Sequence, residues 1–96
     1  MTGHKFDGGK LDWTLINFKE LEEVVKVLMF GESKYSRESW KKVEKYRFER
    51  ALMRHVIQYV NGSKQDKESS LHHLSHAVVN CLFIMNKDKE EEKEEK

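Results

Sequence analysis

Three imidazoles and an amide crowd one short stretch of the chain, Ser69-Ser70-Leu71-His72-His73-Leu74-Ser75-His76-Ala77-Val78-Val79-Asn80. At about 100° per residue on an α-helix, His73, His76 and Asn80 fall within about 60° of one another. Neutral imidazoles ligate metal ions, and imidazole and amide N–H groups donate to phosphate oxygens. The plainer reading is a solvated polar face. Other polar faces in this chain are built from Lys and Glu, so a His/Asn stripe stands apart. Arg54 and His55 form a second candidate pair, in which the guanidinium fork suits a phosphate. His55 could equally be a satisfied, half-buried imidazole.

Glu20, Glu22 and Glu23 supply carboxylates, and Glu20 and Glu23 share a helix face at i, i+3 spacing. Paired carboxylates suit Mg²⁺, a hard cation that takes oxygen ligands. Acids in the first turn of a helix are also favoured by its dipole, with no metal involved. Lys34, Tyr35 and Trp40 sit in a segment rich in cations. A base can stack on Tyr35 or Trp40 while Lys34 meets a phosphate. Alternatively, one of the two aromatics pins that segment to the core. Lys10 follows Gly8-Gly9 in an arm able to close over a ligand, although the spacing is not that of a Walker loop.

The elements that position these residues are read as all-α. Residues 1–16 show no helical period and are read as an arm. Asn17 is a good N-cap, with Glu20 three residues on, and Phe18, Leu21, Val25 and Leu28 follow at helical spacing. Gly31 is a candidate stop. A second helix runs over 44–61, with Phe48, Leu52, His55, Val56 and Tyr59 on one face and Asn61-Gly62 at its end. A third starts near Ser69 or Ser70, with Leu71, Leu74, Val78, Cys81, Leu82 and Met85 as its core stripe. Residues 17–86 therefore form a bundle of three main helices. Residues 87–96 carry six acidic and four basic side chains and read as a helical extension or tail. Faces this narrow bury little surface. Met53, Val60, Val79 and Phe83, off the main stripes, suggest a homo-oligomer.

Composition agrees with one small domain. The chain has 96 residues, of which 36% are charged, with a formal net charge of +1 and no proline. Balanced charge argues against nucleic acid as the partner. A single cysteine excludes an internal disulfide framework and makes the cytoplasm the default compartment. No apolar run approaches the roughly 20 residues that span a bilayer.

Taken in order, Lys5-Phe6-Asp7, Leu21-Glu22-Glu23-Val24, Phe30-Gly31, Lys34-Tyr35, Trp40, Arg54-His55, Asp66, Glu68-Ser69, His73-Leu74, His76-Ala77 and Asn80 resemble a small bacteriophage family, the dATP/dGTP diphosphohydrolase N-terminal domain. The resemblance covers nearly all the chain up to about Met85. It implies purine-nucleotide handling and a fold similar to the MazG-like nucleotide pyrophosphohydrolases. Those enzymes hold Mg²⁺ on an E-E-x-x-E cluster and an E-x-x-D cluster. Here no E-x-x-D follows, and only Asp66 and Glu68 lie near the histidines in sequence.

Two functions follow from that set. In the first, the chain hydrolyses a purine deoxynucleotide to monophosphate and pyrophosphate. Glu22, Glu23, Asp66 and Glu68 are then the catalytic or metal candidates, joined as ligands by His73 and His76. The ion would be Mg²⁺ or, on a His-rich set, Mn²⁺, Co²⁺ or Zn²⁺. Lys10, Lys34, Tyr35, Trp40, Arg54, His55, His73, His76 and Asn80 would bind the nucleotide. In the second, an oligomer sequesters a nucleotide-derived signal, such as a cyclic oligonucleotide or an ADP-ribose derivative, and needs no metal. A helical adaptor for a protein partner is the bland third reading.

Overall fold

The computed structural model describes residues 8–94. Its main elements are α1 (Phe18–Lys34), α2 (Lys45–Val60) and α3 (His73–Glu94). Short 3-10 turns at Trp13–Leu15 and Ser39–Lys42 precede α1 and α2. Among the described residues there is no strand, only an isolated antiparallel bridge between Gln65 and His72. Among the described residues no helix is long and apolar enough to cross a membrane.

Local chemistry sets most boundaries. The Asn17 side chain accepts the Lys19 N–H and caps α1. The helix runs through Gly31 and ends three residues later, where the Tyr35 N–H bonds the Gly31 carbonyl. Asn61 and Gly62 end α2, and Gly62 takes φ 103, which suits a residue without Cβ. The start of α3 is later than Ser69 or Ser70. Residues 65–72 form a tight turn instead, with Ser70 at φ 63 and the Asp66 N–H bonded to the Leu71 carbonyl. His72 then caps α3, its Nδ1 accepting the Leu74 N–H at 3.0 Å.

α3 packs along α2 and more lightly on α1. Val24, Val27 and Val79 form the core cluster, flanked by Leu21, Leu71 and Phe83. The face of α3 that turns inward corrects the hydropathy reading. His73, Ser75, Ala77, Val79 and Asn80 are buried, while Leu74, Val78, Cys81, Leu82 and Met85 are exposed. Small side chains at Ser75 and Ala77 let the neighbouring helices approach, and the buried His73 ring and Asn80 amide are hydrogen-bonded, so their burial is affordable. α1 is likewise turned, with Val24 and Val27 inside and Phe18, Val25 and Leu28 exposed. Of the four residues set aside for an oligomer contact, Met53 and Val60 face outward, but Val79 is core and Phe83 packs against it.

The charged C-terminal stretch continues α3 as helix through Glu94. Lys45 holds it, with Nζ 3.1 Å from Asp88 and 3.0 Å from Glu91. These two carboxylates raise the Lys45 ammonium above its ordinary pKa.

Candidate functional site

The turn between α2 and α3 organises the site. The Asp66 carboxylate accepts the Ser69 N–H at 2.9 Å and the Ser69 hydroxyl at 3.0 Å, both on Oδ2. Having donated its one proton, Ser69 Oγ accepts from the Leu71 N–H at 3.2 Å and from His76 Nε2 at 2.7 Å. His76 therefore carries its proton on Nε2 in the neutral state and leaves Nδ1 as a lone pair.

The same bookkeeping applies one layer deeper. His73 is 1% exposed. Ser63 Oγ donates to the Gln65 carbonyl and so accepts from His73 Nε2, at 3.1 Å. The lone pair on His73 Nδ1 then meets His55 Nδ1 at 2.9 Å, with His55 as the donor. The His55 ring stacks on His76, with centroids 4.4 Å apart and planes 7° from parallel.

Electrostatics follow from this crowding. Burial, and then the nearby His76, push His55 down to about 4, so it is neutral at physiological pH. Burial also lowers His76, against the opposing pull of Asp66. Burial alone would raise Asp66, but the two Ser69 hydrogen bonds and the imidazoles outweigh it and hold the carboxyl low.

Beside this cluster opens a cleft of about 860 Å³ between the C-terminal half of α1, the segment 35–43, α2 and α3. His55, Asp66, Glu68, His76 and Asn80 line its polar side, while Trp40, Phe48 and Phe83 line its apolar side. Lys34 stands in its lining, with Nζ 2.7 Å from Glu68 Oε2. That bond raises the Lys34 ammonium above its ordinary pKa. Trp40 stacks on Phe83, with ring centroids 4.6 Å apart, and so pins its segment to the core. Tyr35 remains 62% exposed at the cleft.

Eight of the residues singled out from the sequence thus meet at one cleft: Lys34, Tyr35, Trp40, His55, Asp66, Glu68, His76 and Asn80. His73 stands behind them as the partner of His55. Lys10, Glu22 and Arg54 are exposed and do not line it. Glu23 accepts the His72 N–H at 3.3 Å and braces the start of α3. Lys5, Phe6 and Asp7 lie outside the described residues. Sequence reasoning gave no part in the site to Ser63, or to Ser69, which it read as a helix start. It also passed over Arg37, which lines the cleft and pairs with Glu32 at 3.3 Å.

Among the described residues no group of three or more carboxylates comes together as the cage expected for Mg²⁺. A partial His/Asp cluster stands in its place. One ring nitrogen each of His55 and His73 and one Asp66 carboxylate oxygen lie within 4.8 Å of one another, an arrangement that could hold a divalent metal.

Comparison with known proteins decides the family. The model of the "dATP/dGTP diphosphohydrolase, N-terminal" family matches residues 1–96. The chain belongs to this family. A protein of Salmonella phage PMBT28 named dATP/dGTP diphosphohydrolase is 42% identical over 84 residues, covering 88% of this chain. Only 29% of that relative is matched, so the chain spans less than a third of its length. No solved structure matches.

Proposed function

We propose that the cleft binds a purine deoxynucleotide and hydrolyses it to the monophosphate and pyrophosphate. The observation that carries this reading is the pairing of an aromatic side with an imidazole, amide and ammonium side in one cleft of about 860 Å³. Tyr35 is the exposed ring on which the base stacks, since Trp40 is already committed to Phe83. Lys34 and the second Asn80 amide hydrogen meet the phosphates, while the neutral rings of His55 and His76, whose N–H groups already donate to His73 and Ser69, line the wall beside them. In the chemical step a water oxygen bonds to the α-phosphorus and the bond to the β-phosphate oxygen breaks. Pyrophosphate leaves with that electron pair, and the water proton passes to Glu68. Lys34 moves from Glu68 to the developing phosphate charge and frees the Glu68 carboxylate. The relative's name supports the substrate class.

A second reading has its own support. Of the four catalytic carboxylate candidates only Asp66 and Glu68 line the cleft, and Glu68 is neutralised by Lys34. So few free carboxylates suit a protein that holds a nucleotide-derived signal intact. One experiment separates the readings. The chain is incubated with dATP or dGTP and with a divalent ion, then denatured, and the nucleotide is recovered. Monophosphate plus pyrophosphate supports hydrolysis, and bound but intact nucleotide supports sequestration. No binding of any nucleotide removes both.

We also propose a homo-oligomer, in which Leu74, Val78, Leu82 and Met85 on α3 and Met53 and Ile57 on α2, all exposed, meet a second copy. Stripes of this kind on neighbouring helices mark association surfaces.

A further inference from the structure

We propose that His55, His73 and Asp66 form a site for a borderline first-row transition ion of the Zn²⁺ or Co²⁺ class, distinct from the carboxylate-bound Mg²⁺ expected of MazG-like enzymes. The proposal deepens the nucleotide reading, because His55 and Asp66 line the same cleft.

The donor set comes first. Two imidazole nitrogens and one carboxylate oxygen within 4.8 Å match the nitrogen-rich sets that favour zinc or cobalt, whereas Mg²⁺ takes oxygens in octahedral array. The spacing is close to that of a chelate. His55 Nδ1 and His73 Nδ1 are 2.9 Å apart. Two nitrogens on one tetrahedral ion at about 2.05 Å stand about 3.3 Å apart, a few tenths of an ångström more.

Orientation is the stronger argument. Ligating histidines characteristically donate their other ring N–H to a fixed acceptor, which sets the tautomer and aims the lone pair at the metal. Ser63 does this for His73. Its hydroxyl proton goes to the Gln65 carbonyl, so it accepts from Nε2–H and leaves the Nδ1 lone pair pointing at His55. Ser69 does the equivalent for Asp66. It takes Oδ2 with both its N–H and its hydroxyl, and Oδ1 makes no hydrogen bond among the described residues. The ion replaces one proton position. His55, now protonated on Nδ1, moves that proton to Nε2 and offers Nδ1, remaining neutral throughout. Among the described residues no buried side-chain nitrogen or oxygen lacks a partner, so His55 Nε2, which has no hydrogen-bond partner among them, meets solvent and can receive the proton. His55 and His73 come from two different helices and Asp66 from the turn between them, so the ion would clamp the polar side of the cleft. Ser63 acts as a positioning residue.

The test is a Co²⁺ titration of the full chain without nucleotide, read by visible d–d absorption and by equilibrium dialysis. One ion per chain is expected, with Zn²⁺ displacing it and excess Mg²⁺ leaving it in place. His55→Gln and Asp66→Asn should abolish uptake, and Ser63→Ala should weaken it by roughly 10–100-fold, with helical circular dichroism unchanged. Absence of Co²⁺ uptake would overturn the proposal. So would uptake that survives both His55→Gln and Asp66→Asn, or displacement of Co²⁺ by Mg²⁺. If one variant fails to fold, the other, together with the Mg²⁺ competition, still decides. Binding of dGTP to the chelator-treated chain, measured separately, tests the nucleotide reading by itself.

Discussion

Acid should loosen this fold through His55. The ring's pKa falls from 6.5 to about 4 on folding, so the unfolded chain binds the proton more readily than the folded one. The neutral ring's contribution is therefore fully present above pH 6.5 and is lost as the pH falls through 6.5 towards 4. At face value, the shift corresponds to about 3 kcal/mol. The ring is only partly buried, so solvent screening reduces this to about 1–2 kcal/mol. Thermal melts of the native chain and of His55→Asn, run in chelator at about pH 7.5 and about pH 4.5, isolate the term. The native chain should lose roughly 5–15 °C more than the variant across that interval. Asp66, also held low in the fold, weakens both chains in acid and largely cancels in the comparison. Equal losses in the two chains, or a larger loss in His55→Asn, would refute the claim that the fold holds this imidazole neutral.

Other substitutions probe other parts of the argument. Glu22→Gln should leave nucleotide turnover within about twofold of native, whereas Glu68→Gln should lower kcat by about 100-fold or more, the scale of lost general-base catalysis; steady-state kinetics with dGTP compare them. Glu68→Gln should free Lys34, tightening nucleotide binding about 2–5-fold by calorimetry, on the scale of an exposed ion pair. Trp40→Ala removes the stacked partner of Phe83 and should cost about 3 kcal/mol in urea unfolding; a loss under about 1 kcal/mol would mean that Trp40 does not pin its segment. Val78→Lys with Leu82→Lys should shift the mass seen by light scattering to that of a single chain while leaving helicity intact. Unchanged mass would remove the oligomer contact assigned to α3.

How much the sequence could say depended on range. Asn17 and Asn61-Gly62 act on their immediate neighbours, so the start of α1 and the end of α2 were legible. The face of α2 was legible at Phe48, which is buried, and at Leu52, His55 and Val56, which are half-buried, but Tyr59 is exposed. α3 was turned the wrong way, because hydropathy does not register hydrogen bonding. His73 and Asn80 go inside because Ser63, His55 and the His76 carbonyl satisfy them. The start of α3 was missed because the Asp66 side chain organises a turn that competes with helix. Lys34, Asp66, Glu68 and His76 were legible as chemistry by residue type. That they share a cleft depends on contacts between α1 and the turn, such as Lys34 with Glu68, that lie 34 positions apart.

The outward side of α3 also gives the molecule a built-in reporter. Cys81 is the sole cysteine of the chain and is exposed. It lies among the exposed Val78, Leu82 and Met85 and does not line the cleft. A thiol-reactive fluorophore would therefore label one known position on each copy without any substitution, and would leave the cleft clear. Its reaction rate would report when that side becomes covered. Energy transfer between labelled copies would then measure the distance from one α3 to the next.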